Sequence, residues 1–354
     1  MAAPPQATRD DTMTKPDTDA PQAPLPATAT KTGPRRLPLR AVSLVRNGIV
    51  FALAIEIVIF ALLAPNFLTV SNLRLVFLQT SVILILAVPS AILLFAGYVD
   101  FAVGSMVGLT AVILGRLLTD GTNVWIAGGI VILIAIVIGL FQGLLVGPFG
   151  FPTFVVTLGF FTALRGLAFV INDGKVQSRF GDTFAVMGRG LIRVLEIPVP
   201  IAIALVVLGV GAFVLYQTKW GRHIRAIGIN ETAAFRAGIR VKLIPTILYG
   251  FTAAAAGLGA IISVSRLDAA PPTIGEGLEL SVLSAVLLGG VAFSGGRGNL
   301  LGVFAGVLFI GILNNGLLQV GVPPFWFRVV SGVALVVAAA LDGYTKKLEA
   351  RAIG

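Results

Sequence analysis

The chain has 354 residues, of which 56% are hydrophobic and 12% charged, and a formal net charge of +10. A soluble domain carries about 25% charged residues, so recurrent apolar stretches in so uncharged a chain predict an all-α, polytopic membrane protein. Zero cysteines exclude disulfides, Cys-based zinc sites and thiol nucleophiles, and a single histidine excludes multi-His metal sites.

Residues 1–46 are rich in Pro, Ala, Thr and Asp and hold too few large apolar groups to fold, so they read as a disordered cytoplasmic tail. The tail ends in a basic cluster, Lys31, Arg35, Arg36, Arg40 and Arg46. The apolar run that follows is too long for a signal peptide and predicts an uncleaved first span.

Residues 47–345 form the transmembrane domain, with apolar segments at Gly48–Pro65, Leu73–Ala96, Phe101–Leu118, Val124–Gly147, Pro152–Ile171, Pro198–Tyr216, Leu243–Ser265, Glu279–Phe293, Gly298–Gln319 and Phe325–Leu341. These predict about ten transmembrane helices, since a span needs about 20 residues. The eighth segment is too short to cross as a full helix. A cytoplasmic N-terminus then places the 217–242 loop and the 346–354 tail, with Lys346, Lys347 and Arg351, in the cytoplasm. The seventh loop, with Asp268, Glu276 and Glu279, falls outside. The 172–197 stretch is mixed in charge and predicts a small external cap. A weak two-half repeat relates Gly104–Ala111 to Gly298–Ala305, each following a glycine-broken turn. Interrupted segments at matching places in two halves point to a translocation site.

The 217–242 loop gathers Arg222, Arg225, Arg236, Arg240 and Lys242 with the only histidine, His223. Its second half predicts a two-turn helix: Asn230 as N-cap, Glu231 in the first turn, Ala233 and Ala234 as helix formers, Gly238 as the left-handed stop. So short a helix is unstable alone, so its flanks or a partner must hold it. The plainer alternative is an ordinary basic cytoplasmic loop. The chain carries no GxxxxGK[ST] phosphate loop, so nucleotide hydrolysis would have to come from another chain.

Several stretches in order carry a resemblance: Gly97-Tyr-Val-Asp100-Phe-Ala-Val-Gly104-Ser105, Pro152–Gly159 with Arg165-Gly166, Gly228 and Asn230–Ile239, Gly275–Leu280, Leu288–Gly290, Gly295–Gly298, Asn314-Asn315-Gly316 and Pro324-Phe-Trp326. Over residues 70–345 the chain resembles the membrane permease subunits of ATP-binding-cassette importers of the ribose or simple-sugar type, with a type II importer fold. The resemblance implies a non-enzymatic pore subunit with no cofactor of its own. It implies a second permease chain as a homodimer partner, and ATPase subunits that bind ATP and Mg. It also implies a periplasmic or lipid-anchored solute-binding protein and a bacterial inner-membrane location. Nucleic acid has no part in this reading. The coupling helix would use Gly228, Asn230, Glu231, Ala233, Ala234 and Gly238. Tyr98, Phe101-Ala102 and Ser281 depart from the family pattern, which leaves permeases for nucleosides or branched-chain amino acids open.

Polar and aromatic groups inside the spans are candidates for the solute path or for helix contacts: Asp100, Gln142, Phe154, Arg165, Asn314, Asn315 and Trp326. Glu56 lies mid-span, where an acid costs about 2.5–3.5 kcal/mol to insert; it serves a protein contact or a function. An ion-coupled secondary transporter would need several such acids, and Glu56 and Asp100 alone qualify.

Overall fold

The structure, a computed structural model, describes residues 39–192 and 197–353, with side chains over 48–340 apart from Asp182. The expectations for residues 1–38, for the Arg40, Arg46, Arg193 and Glu196 side chains and for Lys346, Lys347 and Arg351 lie outside the described residues or side chains. Ten helices match the ten apolar segments: α1 Leu39–Leu63, α2 Val70–Phe95, α3 Val103–Thr119, α4 Val124–Val146, α5 Thr153–Ile171, α7 Val199–Gln217, α10 Leu243–Leu267, α11 Leu278–Leu288, α12 Leu300–Gln319 and α13 Trp326–Ile353. Between them lie α6 Asp182–Arg189, α8 Lys219–Ile229 and α9 Glu231–Arg236. Four two-residue strands pair antiparallel: β1 Gln177–Ser178 with β4 Ala269–Ala270, and β2 Leu191–Ile192 with β3 Ile197–Pro198.

Among the described residues, six of these helices are long and apolar enough to cross a membrane, and four shorter apolar stretches complete the set. Both ends of the apolar region extend further as helix than the composition suggests. The α1 helix is described from Leu39, and no glycine or proline interrupts residues 39–47. The α13 helix runs on to Ile353 through Lys346, Lys347 and Arg351, residues with good helix propensity.

Of the six long spans, α2 and α10 are the most buried, and with the equally buried α3 they form the centre. The most extensive helix packing is that of α4 on α10. On α4 the inward face reads Ala127, Val131, Ala135, Gly139, Gly143, Val146, while Leu133, Val137 and Phe141 face outward. A Cβ at Gly139 would overlap Ala253 and the Tyr249 carbonyl, and one at Gly143 would overlap the Thr246 backbone. Small residues therefore set the approach, and Thr246 Oγ1 donates to the Gly143 carbonyl at 3.0 Å across it. The large apolar groups face out because the surrounding medium is hydrocarbon, so burial brings no hydrophobic gain between spans.

The loop between α5 and α7 forms a small cap. Phe184 on α6 is fully buried, Gly188 N donates to Ser265 Oγ at 2.8 Å, and Arg189 Nε donates to the Arg266 carbonyl at 2.9 Å. The cap thus sits on the end of α10. It lies at the opposite end of the bundle from α8 and α9, because α7 separates the two.

Candidate functional site: a glycine junction and a broken span

The basic loop folds as two helices. Sequence reasoning assigned only the second, since α8 carries charge on one face and its apolar face shows only at three-residue spacing. That face, Gly221, Ile224 and Ile227, is buried. Thr218 caps α8 and Asn230 caps α9, its side chain accepting from Ala233 N at 2.9 Å. Gly238 closes α9 in the left-handed region, φ +80°.

Where α8 ends, three chain segments meet at glycines. A Cβ at Gly228 would overlap the Phe95 carbonyl and Gly296 N, and one at Gly295 would crowd Gly97. Gly296 N donates to the Phe95 carbonyl at 2.9 Å. The turns that open the two halves of the repeat, after α2 and before α12, therefore touch each other and the end of α8. Arg225 lies 5.7 Å from the Phe95 ring centroid and 5.1 Å from that of Tyr216, whose hydroxyl accepts from Leu300 N at 2.9 Å. Tyr98 donates to Glu231 at 3.3 Å, and burial, followed by the Glu231 charge, holds its phenol protonated well above the usual range. The α8–α9 pair thus touches α7 and the turns that flank α2 and α12.

The eighth span is half helix and half a run of tight turns. From β4 the segment 271–277 runs down beside α3: the Ile274 carbonyl faces Gly108 and Gly275 faces Gly104. The α11 helix then completes the crossing in 11 residues. Unwound backbone inside a bundle needs hydrogen-bond partners. The turns supply some themselves, Ile274 N donating to the Pro271 carbonyl at 3.0 Å and Glu276 N to that of Thr273 at 3.2 Å. Arg165 adds others, donating Nη1 to the carbonyls of Pro272 and Ile274 at 2.9 Å each.

Residues 72–339 match the family model described as the branched-chain amino acid transport system / permease component. The chain is 34% identical to the ribose import permease protein RbsC of Escherichia coli strain K12, over 82% of this chain and 91% of that protein. It is 33% identical to the D-allose transport system permease protein AlsC of the same strain, over 85% and 93%. It is 32% identical to the L-arabinose ABC transporter permease protein AraH of Azospirillum brasilense, over 85% and 88%. No solved structure gives a significant match. The chain belongs to this family of membrane permeases.

In this permease the remaining polar candidates divide by what they touch. Asp100 accepts from Ala102 N at 2.8 Å and from Gln142 Nε2 at 2.9 Å, so these two residues brace the turn before α3. Asn315 and Asn72 exchange reciprocal amide bonds of 2.9 and 3.0 Å, and Gln319 adds one of 2.8 Å, tying α2 to α12. Asn72 and Gln319 were missed from sequence because both lie at span ends, where polar residues are ordinary. The neighbouring Asn314 keeps a buried oxygen without a hydrogen bond from the described residues. Phe154 is 60% exposed and packs edge-on to Phe101, and Trp326 is 55% exposed at the start of α13. Both point away from the core of the single chain. Glu56 is buried beside the small Phe60–Phe67 cluster, with neither oxygen hydrogen-bonded by the described residues.

Proposed function

We propose that this permease is the translocating subunit of an ATP-driven importer for a monosaccharide. Its support is that the ribose, allose and arabinose permeases named above align along more than four fifths of this chain. ATP and Mg are bound and consumed by a separate ATPase chain. Two permease copies enclose the path, and a periplasmic or lipid-anchored solute-binding protein delivers the sugar. The protein lies in the bacterial inner membrane with both termini and the 217–242 loop in the cytoplasm.

In this reading α9 is the docking helix. Its Phe235 is 65% exposed, an apolar knob for a groove on the ATPase. Rotation of the ATPase moves α9, α8 follows, and the glycine junction passes the displacement to α2 and α12. No covalent chemistry is required of this chain.

The test is reconstitution of the permease with its ATPase and binding protein in proteoliposomes, with 14C-labelled D-ribose, D-allose and L-arabinose as probes. The expected result is uptake of at least one sugar that requires ATP and is insensitive to proton and sodium ionophores. Uptake that persists without the ATPase and collapses with an ionophore would establish the ion-coupled alternative. ATP-dependent uptake of a nucleoside or of leucine, with none of the sugars, would move the substrate class.

A further inference from the structure

The α11 helix begins in the middle of the bundle. Eleven residues rise about 16 Å, half of a hydrocarbon core about 30 Å thick. Glu279, in its first turn, therefore lies near the midplane, directly below the non-helical, turn-built half of the span. Discontinuous spans of this kind present free groups at that depth, where transporters hold solutes.

Two side chains at this break each have one arm committed and one free. Glu279 Oε1 accepts from Gly277 N at 3.1 Å, while its Oε2 is buried and takes no hydrogen bond from the described residues. Arg165 Nη1 holds the carbonyls of Pro272 and Ile274, while its Nη2 is buried and equally unmet. The two charges are close enough to act on each other, yet they form no direct ion pair among the described residues. A buried charged atom without a partner is costly, and intramembrane ionisable groups are retained where a function uses them. Beside them α3 presents bare backbone. A Cβ at Gly104 would overlap the Glu279 carboxylate, and one at Gly108 would overlap the Arg165 guanidinium. Further along, Arg328 pairs with Glu276 at 2.7 Å, so that neighbouring pair is closed while the inner one is open.

We propose that Glu279 and Arg165 form a hydroxyl-recognising station for the solute at the midpoint of the path, an inference that rests on the sugar-import reading. A carboxylate oxygen accepts from one hydroxyl and a guanidinium N–H donates to the next. A neutral polyol satisfies both arms without bringing net charge into the bilayer. An anion would meet the glutamate and a cation the arginine, so the pair selects for neutral or internally compensated solutes.

The test uses the complete importer in proteoliposomes, the best-carried of ribose, allose and arabinose, and its monodeoxy analogues. Uptake is measured per permease in the membrane and corrected for each analogue's affinity for the binding protein. The wild type is expected to carry at least one deoxy analogue several-fold less well than the parent sugar. In Glu279→Gln, uptake of the parent sugar should fall tenfold or more and the ratio between parent and analogue should shrink to within twofold. Lowered uptake with an unchanged ratio marks a purely structural role and overturns the proposal, as does unchanged uptake. Should Glu279→Gln fail to reach the membrane, the wild-type measurement still decides: equal transport of all analogues after correction overturns it. A wild type that carries no sugar sinks the functional reading itself, whereas sugar transport with an indifferent Glu279→Gln sinks this inference alone.

Discussion

Gly228 shows how much one missing methyl group can matter. Its Cα rests where a side chain would overlap the Phe95 carbonyl and Gly296 N, and both are backbone atoms that cannot swing aside. Gly228→Ala should therefore part α8 from the turns of both halves. The α4–α10 pair lies elsewhere, so the protein should reach the membrane normally. Uptake by the reconstituted importer is expected to fall at least tenfold while permease abundance on immunoblots stays within twofold. The Asn72–Asn315 pair has a different character. Interhelical hydrogen bonds in membranes contribute about 0.6 kcal/mol on average and up to about 1.7. Asn315→Ala removes a reciprocal pair buried at 3% exposure, so a loss of about 1–2 kcal/mol is expected, read as a lowered melting temperature in detergent. Sequence showed that Asn315 needed a partner. It could not show that the partner lies 243 residues earlier, because no local pattern encodes a contact across the bundle.

At the scale of elements, α9 was the most legible and the broken span the least. The cap at Asn230 and the stop at Gly238 are local, so composition and spacing suffice to place them. Gly238→Ala forces a Cβ into the left-handed region at a cost of about 1–2 kcal/mol. Hydrogen–deuterium exchange over residues 231–238 should accelerate by roughly fivefold or more, with the spans unaffected. The α8 helix escaped notice because its apolar face is only three small or branched residues within a charged stretch. The shortness of the eighth segment was legible, and its helix is shorter still, stopping at Leu288, but the 271–277 turns that stand in for the missing half left no signal in hydropathy. Beyond its own turn hydrogen bonds, that chain is held inside the bundle by Arg165, more than a hundred residues away. Arg165→Leu should leave two carbonyls unmet at a cost of several kcal/mol. A strongly reduced yield of folded permease in size-exclusion chromatography is expected, with Arg165→Lys intermediate because an ammonium lacks the planar fork.

For the whole molecule, sidedness is the property on which the importer reading turns. The wild-type chain contains no cysteine, so single-cysteine variants report it directly. Phe235→Cys on α9 and Lys175→Cys on the cap both change exposed residues. In intact spheroplasts an impermeant maleimide should label Lys175→Cys and spare Phe235→Cys, and in inside-out vesicles the reverse. Labelling of Phe235→Cys from outside would place the junction on the wrong face for an ATPase.

Read alone, the sequence determined the number of apolar segments, their order, the basic loop between the sixth and seventh and the short capped helix within it. These follow from composition and from spacing over a few residues, and a bilayer forces every long apolar run into a helix. Only the tertiary structure decided that the turns of the two halves meet at Gly228, that Asp100 and Gln142 brace a turn and that Arg165 and Glu279 each keep a free arm beside unwound chain. Those facts depend on which helices lie side by side, and between helices already in hydrocarbon that choice rests on small-residue packing and long-range polar contacts, neither of which leaves a period in the sequence.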